Sequence, residues 1–293
     1  MIKNISLLIL VFFRIFNNPA LCAIFDIEST RMKSTGGTGV GSFYAEEATL
    51  LNPAPQAFFK ISSLYFQKTG GDITRNSNGE TTTESDNMGF IVSDSKGQLS
   101  GSVSYFKNKE REFYRKRLAT SLSAPVAKQS AFGISYRQTK EYITPLGGHK
   151  KYHQTVFGIS HLLNKSFNIG LIVVDPFKSN PNDTKAVIGM QYTYDNFLSL
   201  MIDAGADYNG ELSETSTISS ALQVKLFNDF FARFGLFEDK VKQEKGSGAG
   251  VAWVGPKLTF NVAQKNYEQS YIDNEISSSE KIKETSFSLS MRF

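Results

Sequence analysis

The chain has 293 residues, of which 40% are hydrophobic, and it contains 24 Phe, 12 Tyr and one Trp. This length is sufficient for one large domain, and the slightly negative mean hydropathy excludes a bundle of membrane-spanning helices. If Lys3 and Arg14 are removed with a leader, the 32 basic residues fall to 30 against 28 acidic ones, a balance that gives no indication of nucleic-acid binding. A transmembrane β-barrel stays compatible with this composition because only one face of each of its strands is apolar.

Residues 1–23, MIKNISLLILVFFRIFNNPALCA, have the pattern of a secretory signal peptide. Lys3 supplies the positive start, an apolar run follows at residues 5–13, and the small residue Ala23 completes the pattern. The apolar run is too short to span a bilayer, which disfavours the alternative of an N-terminal anchor helix. We expect cleavage after Ala23 or Cys22. Because Cys22 is the single cysteine of the chain, the mature protein would have neither a disulfide nor a cysteine-based metal site.

Residues 24–57 separate this leader from the first predicted strand and are rich in small side chains. Four glycines, Gly36, Gly37, Gly39 and Gly41, are followed by Ala45 and Ala48 and then by the motif Asn52-Pro53-Ala54. The glycines lack the G-x-G-x-x-G spacing and no Walker lysine follows them, which disfavours nucleotide binding. Asn52 suits a turn and Pro53 fixes the backbone there, so the simplest interpretation of this motif is a turn that leads into the first strand.

From about residue 58 onward, apolar and polar residues alternate in runs that end at breaks rich in Gly, Asn, Asp, Lys or Pro. In LSLMIDAGADY, Leu198, Leu200 and Ile202 share one face, and Ser199 and Asp203 share the other. A period of two over such a length indicates strands and not helices. We predict strands over residues 58–68, 86–94, 98–107, 113–124, 130–141, 151–163, 167–175, 185–194, 198–208, 216–227, 230–238, 248–254, 257–267 and 281–293.

Longer and shorter breaks alternate between these strands. The first break, KTGGDITRNSNGETTTESDN, is long, and the second, SDSKG, is short. Outer-membrane barrels have tight turns at the periplasmic end and longer loops at the outer end, whereas a sandwich or a propeller gives no reason for this pattern. We therefore predict an all-β protein, a transmembrane antiparallel β-barrel of about fourteen strands over residues 58–293, in the bacterial outer membrane.

A basic cluster flanks one of the longer breaks and consists of Lys107, Lys109, Arg111, Arg115, Lys116 and Arg117. At an outer loop, such side chains contact lipopolysaccharide phosphates or are solvated. A charge in the lumen that selects among passing molecules is the alternative interpretation.

The chain ends with SFSLSMRF, in which apolar and polar residues alternate up to the last position. Phe287, Leu289, Met291 and Phe293 share the face that would meet lipid in a closing barrel strand. The terminal Phe293 also resembles the signal by which barrel-assembly machinery recognises outer-membrane proteins. A soluble sheet with its apolar face on a core is the alternative, but it would not explain the alternating breaks.

The glycine-rich start, the short helix containing Ala45 and Glu46, and the motif Asn52-Pro53-Ala54 resemble the N-terminal plug of the FadL family of long-chain fatty acid transporters. They are also similar to the corresponding stretch of the related PorV-type outer-membrane proteins. The sequence departs from the family pattern in having Pro55 where a glycine is usual. The chain is also shorter than typical family members, which puts a fatty acid substrate in doubt.

The resemblance implies a fourteen-stranded barrel whose residues 24–57 fold into the lumen as a plug, with Gly37, Gly39, Asn52, Pro53 and Ala54 as plug or ligand-binding residues. It further implies passive uptake of a small hydrophobic molecule or lipid, with lipopolysaccharide around the barrel. Two alternatives stay open: a PorV-like accessory protein of a secretion system that transports nothing, and a polar diffusion porin.

We predict no enzyme, no cofactor and no metal site. His153 and His161 fall on the same face of one predicted strand, but their separation of about 25 Å is too long for one metal ion. A barrel phospholipase would need Ser, His and a polar third residue together on adjacent strands, and no serine is distinguished by its position.

Overall fold

The computed structural model describes residues 27–75, 81–110, 113–143, 148–180, 183–273 and 276–293. Fourteen antiparallel strands form a closed barrel in which each strand pairs with its neighbours in the chain and β1 pairs with β14. The strands are β1 Ser62–Arg75, β2 Thr81–Asp94, β3 Ser100–Glu110, β4 Phe113–Ala127, β5 Ser130–Ile143, β6 Gly148–Leu162, β7 Phe167–Val174, β8 Lys185–Tyr194, β9 Leu198–Ala206, β10 Ser216–Phe227, β11 Phe230–Asp239, β12 Glu244–Val254, β13 Leu258–Asp273 and β14 Ile276–Arg292. The predicted fold class and the existence of all fourteen predicted strands are confirmed. The first strand begins at Ser62 and not at residue 58, where the 3-10 helix Ala54–Phe58 ends. The predicted signal peptide, with Cys22, lies outside the described residues.

Helices are few and short in the described ranges. α1 spans Thr30–Ser34, α2 spans Leu212–Thr215, and 3-10 helices span Ala45–Glu47 and Ala54–Phe58. α1 begins where the Ser29 hydroxyl accepts a hydrogen bond of 3.0 Å from the Met32 backbone N–H, which satisfies one free donor of the first turn.

No helix within the described ranges is both long and apolar enough to cross a bilayer.

Over the middle of the strands, the outer face is mainly apolar and the inner face is mostly buried. On β14, Ser286 and Ser288 are fully buried, whereas Phe287 between them is 45% exposed. On β9, Leu200 and Ile202 are likewise exposed, and Met201 is buried. The predicted assignment of faces in the C-terminal octet and in LSLMIDAGADY is therefore correct. Side chains of the outer faces form the apolar belt that a lipid-embedded barrel requires.

The two ends of the barrel differ in their links. The end at which β1 begins and β14 finishes, here called the proximal end, has short links throughout, at residues 95–99, 128–129, 163–166, 195–197, 228–229 and 255–257. At the opposite, distal end, the longest described links are residues 175–180 and 183–184, between β7 and β8, and residues 207–215, which contain α2.

The predicted long breaks are wrong in most places, because polar residues there continue the strands. β1 extends to Arg75 and β2 starts at Thr81, so most of the first break is paired strand. The break after residue 265 is likewise occupied by β13 and β14. Beyond the apolar belt, side chains on both faces of a strand are polar, and the hydrophobic alternation that identifies a strand in sequence is lost. The backbone ladder needs no such alternation and continues.

Candidate functional site in the barrel interior

The N-terminal segment, defined as residues 27–58, lies against the inner faces of strands from all around the barrel. The Thr30 hydroxyl is 2.7 Å from that of Ser286 on β14. Across the barrel interior, the Arg137 guanidinium on β5 donates a hydrogen bond of 2.8 Å to the Leu50 carbonyl. Because a closed sheet has these inner faces on opposite sides, the segment crosses the interior between them.

Glycines in the wall make room for this segment. An added Cβ at Gly133 of β5 would lie 2.7 Å from the backbone of both Pro53 and Ala54, and one at Gly235 of β11 would lie 2.6 Å from the Thr35 Cα. The same holds where Gly158, Gly170, Gly189, Gly248 and Gly250 face the segment. Glycine within a strand weakens the strand and marks close approach of another backbone. These glycines therefore mark where the segment packs against the wall.

The predicted site residues Asn52, Pro53 and Ala54 lie together, where the segment packs against the wall glycines. The Asn52 amide donates hydrogen bonds to the Val40 carbonyl (2.9 Å) and to the Ile159 carbonyl of β6 (3.1 Å). Its side-chain oxygen accepts from the Ala54 N–H at 3.0 Å, which is the turn expected at this motif. Pro55, the departure from the family pattern, sits in the first turn of the following 3-10 helix, where a missing N–H has little cost.

The predicted residues Gly37 and Gly39 form a separate turn about the middle of the segment. Their φ angles are 81° and 146°, values that residues with a side chain rarely adopt. The Gly39 N–H and the Val40 N–H both donate to one carboxylate oxygen of Asp203 on β9, at 2.7 and 2.9 Å. The glycines thus give this turn its shape, and Asp203 holds it to the wall.

Buried ion pairs hold the first half of the segment. The Arg31 Nε is 2.7 Å from a carboxylate oxygen of Glu47, within the segment itself. Burial by itself would lower the pKa of the Arg31 guanidinium, but the adjacent Glu47 carboxylate outweighs it, and the pKa is raised. Lys33 pairs with Glu284 of β14, and Glu28 accepts two hydrogen bonds of 2.9 Å from Lys265 of β13.

A cavity of about 470 Å³ lies between the segment and the distal end of the barrel. One side of it is apolar and contains the contiguous cluster of Val40, Val156, Ile172, Val174 and Val187, with Leu51 packed against it. All of these except Val156 line the cavity directly. The segment and the wall strands β7 and β8 therefore build an apolar surface together, open toward the distal end.

Charged side chains surround the same cavity nearer its mouth. Arg115 on β4 forms an ion pair of 2.6 Å with Glu141 on β5. Asp183, in the link after β7, is buried; burial opposes its charge, but Lys185 and Arg117 lower the pKa of its carboxyl below the usual value. The cavity therefore has a charged rim and, below it, an apolar floor beside which Glu28, Asp203 and Lys265 also lie.

A second cavity of about 140 Å³ lies at the proximal end, on the other side of the segment. Its lining includes Arg31, Tyr44, Glu47 and Arg233. Arg233 donates hydrogen bonds of 2.7 Å to Gln223 and Asn261. α1 and its Arg31–Glu47 pair thus separate the two cavities.

Sequence reasoning missed two wall residues that hold the segment, Arg137 and Asp203, as well as the wall glycines. Arg137 is buried and donates to the Thr49 and Leu50 carbonyls. Arg137 could have been found, because it is an ionisable residue in the middle of a strand at a position whose side chain faces inward. In a membrane protein, such a residue marks a contact in the interior. For Asp203, the alternation predicts only that it lies on the polar face of its strand.

The histidines do not converge on a site. His153 accepts or donates a 2.7 Å hydrogen bond with the Tyr136 hydroxyl on the outer face, and His161 does so with Ser130 at 2.8 Å. Within the described ranges, no three His, Cys, Asp or Glu side chains are arranged to hold a metal ion.

No family model and no curated protein matches the sequence. Solved structures do match: the Pseudomonas putida toluene transporter TodX, at 11% identity over 92% of this chain and 100% of that one, has a TM-score of 0.70. The monoaromatic hydrocarbon channel CymD, at 10% identity over 92% and 99%, has a TM-score of 0.66. A Pseudomonas aeruginosa FadL homologue, at 12% identity over 92% and 99%, has one of 0.61.

The chain has the FadL-type fold. The predicted resemblance is thereby confirmed at the level of architecture.

Proposed function

We propose that this FadL-type barrel lies in the bacterial outer membrane and lets small hydrophobic molecules enter passively. The observation that carries the proposal is the apolar floor of the distal cavity, formed by Val40, Leu51, Ile172, Val174 and Val187. An apolar surface inside a cavity favours ligands that bury apolar surface against it, away from water. The solved proteins of this fold include a toluene transporter and a monoaromatic hydrocarbon channel, which supports the same ligand class here.

The orientation that we propose places the proximal end in the periplasm and the distal end outside. Short links at the proximal end and both ends of the strand series there are typical of outer-membrane barrels. Lipopolysaccharide would then surround the distal end, and Phe293, which is exposed at the proximal end, would be read by the barrel-assembly machinery.

We further propose that residues 24–57 act as a plug and that Gly37, Gly39, Asn52, Pro53 and Ala54 keep it in its closed arrangement. A barrel of this strand number is too wide for wall side chains to fill. The contacts of Asn52 with β6 and of Gly39 with Asp203 support this role. α1 separates the two cavities, so passage requires movement of the segment or an exit before it.

Uptake of labelled toluene by cells that express the barrel in an outer membrane lacking other channels tests the function. Replacing Val174 and Val187 together by threonine adds two hydroxyl groups to the floor at nearly constant volume, and a hydroxyl without a partner costs about 1–3 kcal/mol in an apolar site. We expect toluene uptake to fall several-fold. The matched control is Thr217→Val, a change of opposite polarity at another lining position, which should not reduce uptake.

Two outcomes would overturn the proposal. Uptake of apolar probes at the level of the empty vector, with folded barrel present in the membrane, would favour a structural or secretion-accessory role. Entry of glucose at a rate equal to that of toluene would favour a polar diffusion porin.

A further inference from the structure

A row of four lysines crosses the outer face of four adjacent strands near the distal end. Lys107 on β3 is directly opposite Lys116 on β4, which is opposite Lys140 on β5, which is opposite Lys151 on β6. Like charges directly opposite each other on one face destabilise a sheet. Such an arrangement therefore points to something outside the protein that compensates the repulsion.

No carboxylate of the described residues compensates it. Among the described residues, none of the four lysines forms an ion pair with a carboxylate. Glu141, the nearest acidic neighbour in sequence, faces the interior and pairs with Arg115. Asp86, on the outer face of β2, pairs with Lys68.

A second row, of mainly aromatic residues, lies immediately distal to the lysines. Tyr114, Tyr142 and His149 are consecutive partners across β4, β5 and β6. Their ring centroids are separated by 5.8 and 6.0 Å, and the Lys116 ammonium lies 4.8 Å from the Tyr114 ring centroid. The result is a cationic row with a continuous aromatic surface above it, which is suited to a ligand that carries both phosphate and sugar rings.

The height of the row places it at the boundary between lipid and water. Below Lys116 on β4, the outward residues Leu118, Leu122 and Val126 are 46%, 49% and 72% exposed. Ten residues from Val126 to Lys116 cover about 33 Å along the strand, or about 25 Å along the axis of a barrel with strands tilted by roughly 40°. That distance is the height of the apolar band of an outer-membrane barrel, so the lysines reach the head groups of the leaflet at the distal end.

We propose that Lys107, Lys116, Lys140 and Lys151 bind the phosphate groups of lipid A in the outer leaflet. This inference rests on the orientation given under the proposed function but not on transport. Neighbouring lysines on adjacent strands are about 4.8 Å apart, so a pair of them faces each of two phosphates, and Tyr114 and Tyr142 contact the sugars. The geometry also corrects the predicted basic cluster. Lys107, Lys109 and Lys116 face outward, whereas Arg115 and Arg117 face the cavity and Arg111 lies outside the described residues. Lys140 and Lys151 complete the row.

Native mass spectrometry of the purified full chain with lipid A tests this site. In the test variant all four lysines become glutamine (Lys107→Gln, Lys116→Gln, Lys140→Gln, Lys151→Gln). The matched control carries the same change of charge on proximal links that are exposed, at Lys96, Lys128, Lys165 and Lys257. We expect lipid A to bind the unaltered chain and the control equally, and the test variant at least tenfold more weakly.

Three probes separate the possible sources of phosphate. Dephosphorylated lipid A should bind the unaltered chain as weakly as the test variant binds lipid A, and inorganic phosphate alone should not compete at equal concentration. The proposal would be overturned if the unaltered chain bound dephosphorylated lipid A as tightly as lipid A. It would also be overturned if the test variant bound lipid A as tightly as the unaltered chain does, or if inorganic phosphate competed fully.

Thermal unfolding in a neutral detergent without lipid A provides a second readout. Removal of the repulsion should leave the melting temperature of the test variant equal to that of the unaltered chain or above it. A lower value would show that the lysines serve the sheet itself and would count against the site. Toluene uptake should be the same in both chains, because the row faces outward, so failure of the transport proposal is seen independently.

Discussion

Replacing Gly235 by alanine should loosen the N-terminal segment from the wall. The new Cβ would lie 2.6 Å from the Thr35 Cα, and still closer to the Thr35 carbonyl, whereas carbon atoms in contact are normally about 3.5–4.0 Å apart. The segment must therefore move by about 1 Å at the end of α1. Insertion of a methyl group into a packed site costs about 1–3 kcal/mol, which corresponds to a roughly 5- to 150-fold lower ratio of seated to unseated segment.

Limited trypsin digestion of the folded barrel measures this ratio. Arg31 and Lys33 are buried while the segment is seated, so cleavage there reports the unseated fraction when seating is faster than cleavage. We expect cleavage of Gly235→Ala to be roughly 5- to 150-fold faster than cleavage of the unaltered chain. Gly70→Ala is the control because a Cβ at Gly70 has no atom within 4 Å. Equal cleavage rates of the two variants, with both barrels folded by heat-modifiable migration, would refute the seating argument.

Three further predictions concern the segment and the closing strand. Deletion of residues 24–52 should leave a barrel that folds, because no ladder hydrogen bond is lost, but that admits small antibiotics; unchanged antibiotic entry would contradict a plug. Glu47→Gln should make attachment of the segment to the wall less favourable by about 3–5 kcal/mol, since it leaves the buried Arg31 without its carboxylate; the rate of tryptic cleavage at Arg31 and Lys33 measures this, and Ser213→Ala on exposed α2 should have no effect. Phe293→Ser should reduce the amount of barrel in outer-membrane fractions more than Arg292→Gln, and equal amounts would contradict the assembly role of the terminal aromatic.

The sequence alone determined the strands, their faces and the closed barrel. Alternation with a period of two is a local property, so Leu200 and Asp203 could be assigned to opposite faces without knowledge of the fold. Closure followed because a lipid-facing sheet cannot leave its edges unpaired. The turn at Asn52-Pro53 was also predictable, since it depends on a side chain and the backbone two residues further on.

The tertiary structure decided where polar strands continue, what the inward side chains meet and which charges share a surface. Beyond the apolar belt, β1, β2, β13 and β14 continue through hydrogen bonds to their neighbours, which leave no pattern in the sequence of a single strand. The alternation of faces along each strand places Arg137 and Asp203 inside the barrel. Only the folded segment brings Leu50 and Gly39 within hydrogen-bond distance of them. The lysine row is likewise set by the register between strands, because residues far apart in the chain become neighbours only when the strands pair.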